Sequence, residues 1–147
     1  GVVQSATIQT RHRMKVFSVS EPVFRTATLF VLGCPFPKFA ALMKRRYHAE
    51  VGEFVGQCGQ MFTYTEDEPW RCIWTDRLDL AVVLHEVFHL VTRICDDKCV
   101  PIKSHIENGE CGDEAAAYLF ECYVRAILLK QPTWKPSSGP GHDTATR

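Results

Sequence analysis

One motif constrains this chain more than any other feature: residues 85–89 read H-E-V-F-H, inside an apolar run over 80–94. A helix turns once every ~3.6 residues, so His85 and His89 project from the same face. Two imidazoles at this spacing can hold one zinc ion, and the adjacent Glu86 can act as a general base on a water molecule. A buried helix rarely carries three ionisable groups without a partner, because unpaired burial is costly. The motif therefore predicts a zinc (Zn2+) site that activates water for hydrolysis.

The composition is that of an ordinary globular domain. The 147 residues suit one compact unit. Seventeen Lys and Arg residues balance seventeen Asp and Glu residues, so the charge does not favour nucleic acid or an anionic membrane as the main partner. No apolar run approaches the ~20 residues of a membrane span. We therefore predict neither nucleic acid nor a membrane as a partner, and the sequence leaves the oligomeric state open.

The cysteines and the two ends of the chain indicate the compartment. Seven cysteines cannot form a fully paired disulfide framework, and residues 1–13 lack the features of a signal peptide. We therefore expect reduced thiols and a cytoplasmic protein. Residues 1–13 resemble an upstream extension or cloning remnant before a native start at Met14, and residues 14–130 form the predicted domain. The tail 131–147 is rich in Pro, Ser, Gly and Thr and is predicted to be disordered.

Hydrophobic periodicity and chain breakers predict the order of the elements. Short strands over 15–19 and 27–32 precede a helix over 37–50. Two further strands over 60–65 and 70–75 should form a hairpin, of which 70–75 is also a candidate for binding substrate by strand addition. Asp76 is expected to cap the motif helix over 77–94. After a loop over 96–112, a last helix is expected over 114–130.

A catalytic zinc needs a third protein ligand and one open position. The best candidate is Glu114, at the start of the last helix, where the small side chains of 115–117 would let two helices approach closely. The structural alternative is a first-turn Glu favoured by the helix dipole. Asp113, Glu110 and Glu121 are the fallback ligands.

The two motifs together resemble a known family. H-E-x-x-H at 85–89, followed by D-E-x-x-A-Y at 113–118, is similar to the gluzincin branch of zinc metallopeptidases, and more closely to small zincin-like proteins of tailed phages. The resemblance covers about 70–129. It implies a minimal zincin-like α+β fold: a small, mainly antiparallel sheet packed on the active-site helix and a C-terminal Glu-bearing helix. It implies His85, His89 and Glu114 as zinc ligands and Glu86 as general base. Tyr118 stands where thermolysin-like members have an Asp and phage-regulator peptidases have an Asn.

These parts predict a zinc-dependent peptidase acting on a peptide or protein substrate. Zinc would lower the pKa of its water to about 7, and Glu86 would pass the water proton to the leaving amine. A donor that stabilises the oxyanion is still required. Tyr118, His105 and Tyr64 are the candidates. If the resemblance to phage proteins holds, the compartment would be the host cytoplasm.

Other functions stay open at this level. A deformylase-like hydrolase would use the same motif with an upstream Cys as third ligand, for which Cys58 is the candidate. A zincin-like scaffold could also serve as a non-catalytic binding or assembly module. Separately, the cluster of Cys95, Cys99, His105 and Cys111 could bind a structural zinc, although its spacing matches no common finger pattern.

Overall fold

The structure is a computed structural model that describes residues 14–53, 56–64, 70–100, 102, 106–107, 110–111 and 113–130. The two predicted terminal segments, 1–13 and 131–147, lie outside the described residues. The elements are, in order, β1 (Lys15–Ser20), β2 (Ala27–Leu32), α1 (Phe36–Tyr47), β3 (Gly59–Tyr64), β4 (Trp70–Thr75), α2 (Leu80–Asp97), β5 (Ile106–Glu107), β6 (Glu110–Cys111) and α3 (Glu114–Lys130). Within these ranges, no helix is both long and apolar enough to cross a bilayer.

Four strands form a mixed sheet in the order β1-β2-β4-β3. The pairs β1–β2 and β3–β4 are antiparallel, which confirms the predicted hairpin, and β2–β4 is parallel. A parallel pair requires a crossover connection, which here consists of α1 and β3. The fold is thus α+β with a mainly antiparallel sheet, as predicted.

The sheet lies between two helical layers because its central strands bury both faces. In β2, Phe30 and Leu32 join the core formed with α2 and α3, whereas Val31 joins the core formed with α1. In β4, Ile73 faces α2 and α3, and Trp74 faces α1. Side chains alternate along a strand, so each apolar run supplies both cores at once.

The motif helix α2 begins and ends three residues later than predicted. The prediction that Asp76 caps this helix is wrong, because its backbone N–H donates to Cys58 O at 2.8 Å and its carboxylate pairs with Arg77. Asp79 takes the cap position instead, and its Oδ1 accepts the Ala81 N–H at 2.9 Å. The extra turn at the other end carries Asp97.

The last helix is anchored in the core by one buried face, consisting of Leu119, Tyr123 and Ile127. The Tyr123 hydroxyl and the Thr28 Oγ1 of β2 lie 3.0 Å apart, within hydrogen-bonding distance, joining α3 to the sheet. Part of the predicted loop over 96–112 forms instead the short antiparallel pair β5–β6.

Candidate functional site

The two histidines of the motif meet on the exposed side of α2. The Nε2 atoms of His85 and His89 are 3.1 Å apart, and the two rings are nearly perpendicular, at 79°. Two ligands at about 2.0–2.1 Å from one tetrahedral zinc would be about 3.3 Å apart. The pair therefore fits two ligands of a single zinc ion, and without metal the same separation allows a hydrogen bond between the rings.

Glu86 lies beside the histidine pair, in the junction between α2 and the sheet. Only 7% of the residue is exposed. Burial raises the pKa of the Glu86 carboxyl, and the charges of His85 and His89, together with a hydrogen bond from the Met61 backbone N–H, partly offset this rise. The carboxylate is thus held between the imidazole pair and strand β3.

An open cleft of about 640 Å³ lies along this junction. One wall is α2 and the other is the start of β3 with the residues before it. Eight of the ten lining residues have polar side chains; the ten are Gln57, Gly59, Gln60, Met61, His85, Glu86, His89, Thr92, Arg93 and Asp96. His85, Glu86 and His89 therefore all face the same solvent-accessible cleft.

Gly59 allows β3 to lie this close to α2. A Cβ at this position would be 3.1 Å from Val82 Cγ1, 3.2 Å from Glu86 Cγ and 3.2 Å from the Trp74 carbonyl oxygen. By residue type alone, Gly59 predicts only a break in the chain before β3. Its actual contribution is to bring the strand against the Glu86 carboxylate.

We expect Gly59→Ala to lower the free energy of unfolding by about 1–3 kcal/mol, the usual cost of overpacking. This cost exceeds the ~0.5–1 kcal/mol that Ala gains over Gly in regular structure. Gly52→Ala is the matched control, because among the described residues no heavy atom beyond its chain neighbours lies within 4 Å of the point that a Cβ would occupy there. Urea denaturation of both variants measures the difference, and equal stabilities would show that β3 moves freely away from α2.

Among the described strands, β3 has one edge without a strand partner, and its first residues line the cleft. Strand addition to 70–75 is not possible, because β4 is paired on one side with β2 and on the other with β3. The Asp76 N–H donates to Cys58 O, so these two residues form a hydrogen-bonded pair at the end of the β3–β4 ladder. In an antiparallel ladder, hydrogen-bonded and non-hydrogen-bonded pairs alternate, so the backbone groups of Gly59 and Met61 are directed away from β4. The Met61 bond to Glu86 agrees with this register.

The described residues do not bring a third ligand to the histidine pair. Within the described part of the chain, no group of three or more His, Cys, Asp or Glu side chains is arranged to hold a metal ion. Glu114 is exposed at the first position of α3, and Asp113 is exposed just before it. Glu121 is exposed and pairs with Arg125 at 2.7 Å, while the side chain of Glu110 lies outside the described residues.

The other predicted site residues are distributed differently. Tyr118 is 53% exposed on α3 and is not among the described residues that line the cleft. His105 and the side chain of Tyr64 lie outside the described residues. None of the three predicted oxyanion donors is therefore placed in the cleft by a described side chain.

The cysteines have separate surroundings. Cys58 is exposed, and its Sγ accepts a hydrogen bond from Arg77 Nη2 at 3.3 Å. Of the predicted second zinc cluster, Cys95 is buried and Cys99 is exposed, whereas His105 and the side chain of Cys111 lie outside the described residues. Cysteines 34, 58, 72, 95, 99 and 122 are all free thiols.

Comparison with protein-family models, with curated proteins and with solved structures finds no match for this chain.

Proposed function

We propose that this protein is a zinc-dependent peptidase whose active site is the cleft between α2 and β3. The observation that carries the proposal is the juxtaposition of two imidazoles, 3.1 Å apart, with the buried carboxylate of Glu86 beside an open strand edge. His85 and His89 would hold the zinc ion, which when bound polarises a carbonyl and lowers the pKa of a water molecule.

The residues of the chain supply the remaining steps. Glu86 accepts the proton of the attacking water and delivers it to the leaving amine. Burial and the Met61 N–H bond restrict its carboxylate to one position, which favours transfer along a defined path. The open edge of β3 pairs with the substrate backbone and orients the scissile bond along the cleft.

Removal of metal tests the function directly. We expect the purified protein to bind one zinc ion per chain and to cleave members of a random decapeptide mixture. A chelator should reduce cleavage to background, and one equivalent of zinc should restore it. Mass spectrometry of the products and elemental analysis of the protein provide the two measurements. Cleavage that continues in protein shown to be free of metal would overturn the proposal.

The third ligand is a separate question, for which Glu114 is the candidate. If it ligates zinc, Glu114→Ala should weaken zinc affinity by more than the ~10–100-fold typical of losing a residue that only supports a ligand. Glu53→Ala, which removes an exposed carboxylate that is not in the cleft lining, is the matched control and should bind zinc like the unaltered protein. Competition with a chromophoric chelator measures both affinities. Equal affinities would assign the third position to another residue.

A further inference from the structure

Three charged side chains link the interior of the protein to the wall of the cleft. Arg71, at the start of β4, is 5% exposed, and its Nη2 contacts Asp97 Oδ2 at 2.6 Å. The other carboxylate oxygen of Asp97 contacts Arg93 Nε at 3.1 Å. We call these residues the Arg71–Asp97–Arg93 trio. Two guanidinium groups share one carboxylate, so the trio carries one net positive charge at neutral pH.

Arg71 is the buried member of the trio, so water cannot solvate its positive charge. The Nε of Arg71 is buried without a hydrogen-bond partner among the described residues. Asp97 is therefore held by a buried cation, and this in turn fixes the position of Arg93. An isolated surface pair four residues apart on a helix would hold its arginine only loosely.

Arg93 is the member of the trio that reaches the cleft. It lies one helical turn after His89, on the same face, at a distance of about 6 Å along the helix axis. The contact between Arg93 and Asp97 is made through Nε at 3.1 Å, and the guanidinium carries further donors on Nη1 and Nη2. These donors form a planar fork that suits a carboxylate.

The same trio establishes the direction of a bound peptide. Arg71 is the second residue of β4 and Asp97 is the last residue of α2, which follows β4 after four residues. Their contact therefore shows that α2 runs antiparallel to β4. Because β3 is also antiparallel to β4, β3 and α2 run in the same direction. A peptide that adds to β3 in the more stable antiparallel sense therefore has its amino-terminal residues towards Arg93. A separation of about 6 Å corresponds to about two residues of extended chain.

We propose that Arg93 selects substrates with an acidic side chain about two residues before the scissile bond. This inference rests on the proposed peptidase function and names the substrate class of the same site. Asp96 also lines the cleft, three residues further along α2. Its carboxylate repels a second acidic side chain, so the site favours a single acidic residue over an acidic run.

The test compares cleavage of a random decapeptide mixture by the zinc-loaded protein and its variants. The unaltered protein should prefer Asp or Glu over Asn or Gln at this position by about tenfold, the effect of one charge-assisted hydrogen bond. Arg93→Gln should remove the preference, and Arg93→Glu should reverse it in favour of Lys or Arg. Asp96→Asn should extend the preference to a second acidic residue. Arg77→Gln, a surface arginine paired with Asp76 outside the cleft lining, is the control and should change nothing.

A binding measurement separates the failure of this inference from the failure of the proposed function. Zinc-loaded Glu86→Gln protein is used to capture peptides from the same mixture, and the bound fraction is sequenced. If the unaltered protein cleaves nothing, the peptidase proposal fails, yet enrichment of acidic peptides that Arg93→Gln abolishes would still support the role of Arg93. Absence of acidic enrichment, or enrichment that Arg93→Gln leaves intact, would overturn it. Thermal denaturation confirms that each variant is folded.

Discussion

Replacement of Glu86 by Gln is expected to slow peptide hydrolysis by about 10²–10⁴-fold, the usual contribution of a positioned general base. The amide cannot accept the water proton at neutral pH, although it has nearly the shape of the carboxylate. Its oxygen can still accept the Met61 N–H, and removing a buried charge does not destabilise the fold. Zinc content should remain unchanged, because His85 and His89 are untouched. Initial rates on a cleaved peptide and elemental analysis measure the two effects.

The matched control for this substitution is Glu53→Gln, which exchanges an exposed carboxylate that is not part of the cleft lining. Its rate should equal that of the unaltered protein. If Glu86→Gln retained full activity with normal zinc content, Glu86 would not be the base, and the proposed mechanism would fail. If neither protein cleaved any peptide while both bound zinc, the non-catalytic binding module would be the better interpretation.

The local part of the site could be predicted from the sequence because helical spacing alone determines it. His85 and His89 share a face whatever the helix packs against, and the structure places their ring nitrogens 3.1 Å apart. The start of the last helix at Glu114 was also predicted, since a polar, glycine-containing segment gives way there to an apolar helical pattern. Such features depend on residues within one or two helical turns.

The remaining parts depend on contacts between segments that are distant in sequence. Asp76 and Asp79 are equally good helix caps by residue type, and only the bond from Asp76 N–H to Cys58 O decides between them. Among the described strands, β3 lies at the edge of the sheet because β4 pairs in parallel with β2 on its other side. This strand order could not be predicted, because the alternation of side chains along one strand does not indicate which strands are its neighbours. A glycine in a strand, such as Gly59, often marks a position where another segment approaches the backbone closely, but the sequence does not identify α2 as that segment.

Replacement of Trp74 by Ala is expected to lower the free energy of unfolding by about 3–5 kcal/mol, the usual cost of truncating a buried Trp. The side chain is fully buried between the sheet and α1. Its ring lies edge-on to Phe36 at 5.2 Å and stacks on Phe39 at 5.8 Å, and its Nε1 donates to Cys34 O at 2.9 Å. Truncation removes all three interactions and leaves a cavity. Chemical denaturation measures the change.

Trp74→Phe separates the hydrogen bond from the packing. It keeps an aromatic ring against α1 but leaves the buried Cys34 carbonyl without its donor, at a cost of about 1–3 kcal/mol. Because Trp74 lies on the α1 side of the sheet, whereas His85, Glu86 and His89 lie on the other side, the folded fraction of both variants should bind zinc with unchanged affinity. Loss of zinc from a fully folded Trp74 variant would mean that the α1 layer positions the site as well as stabilising the sheet.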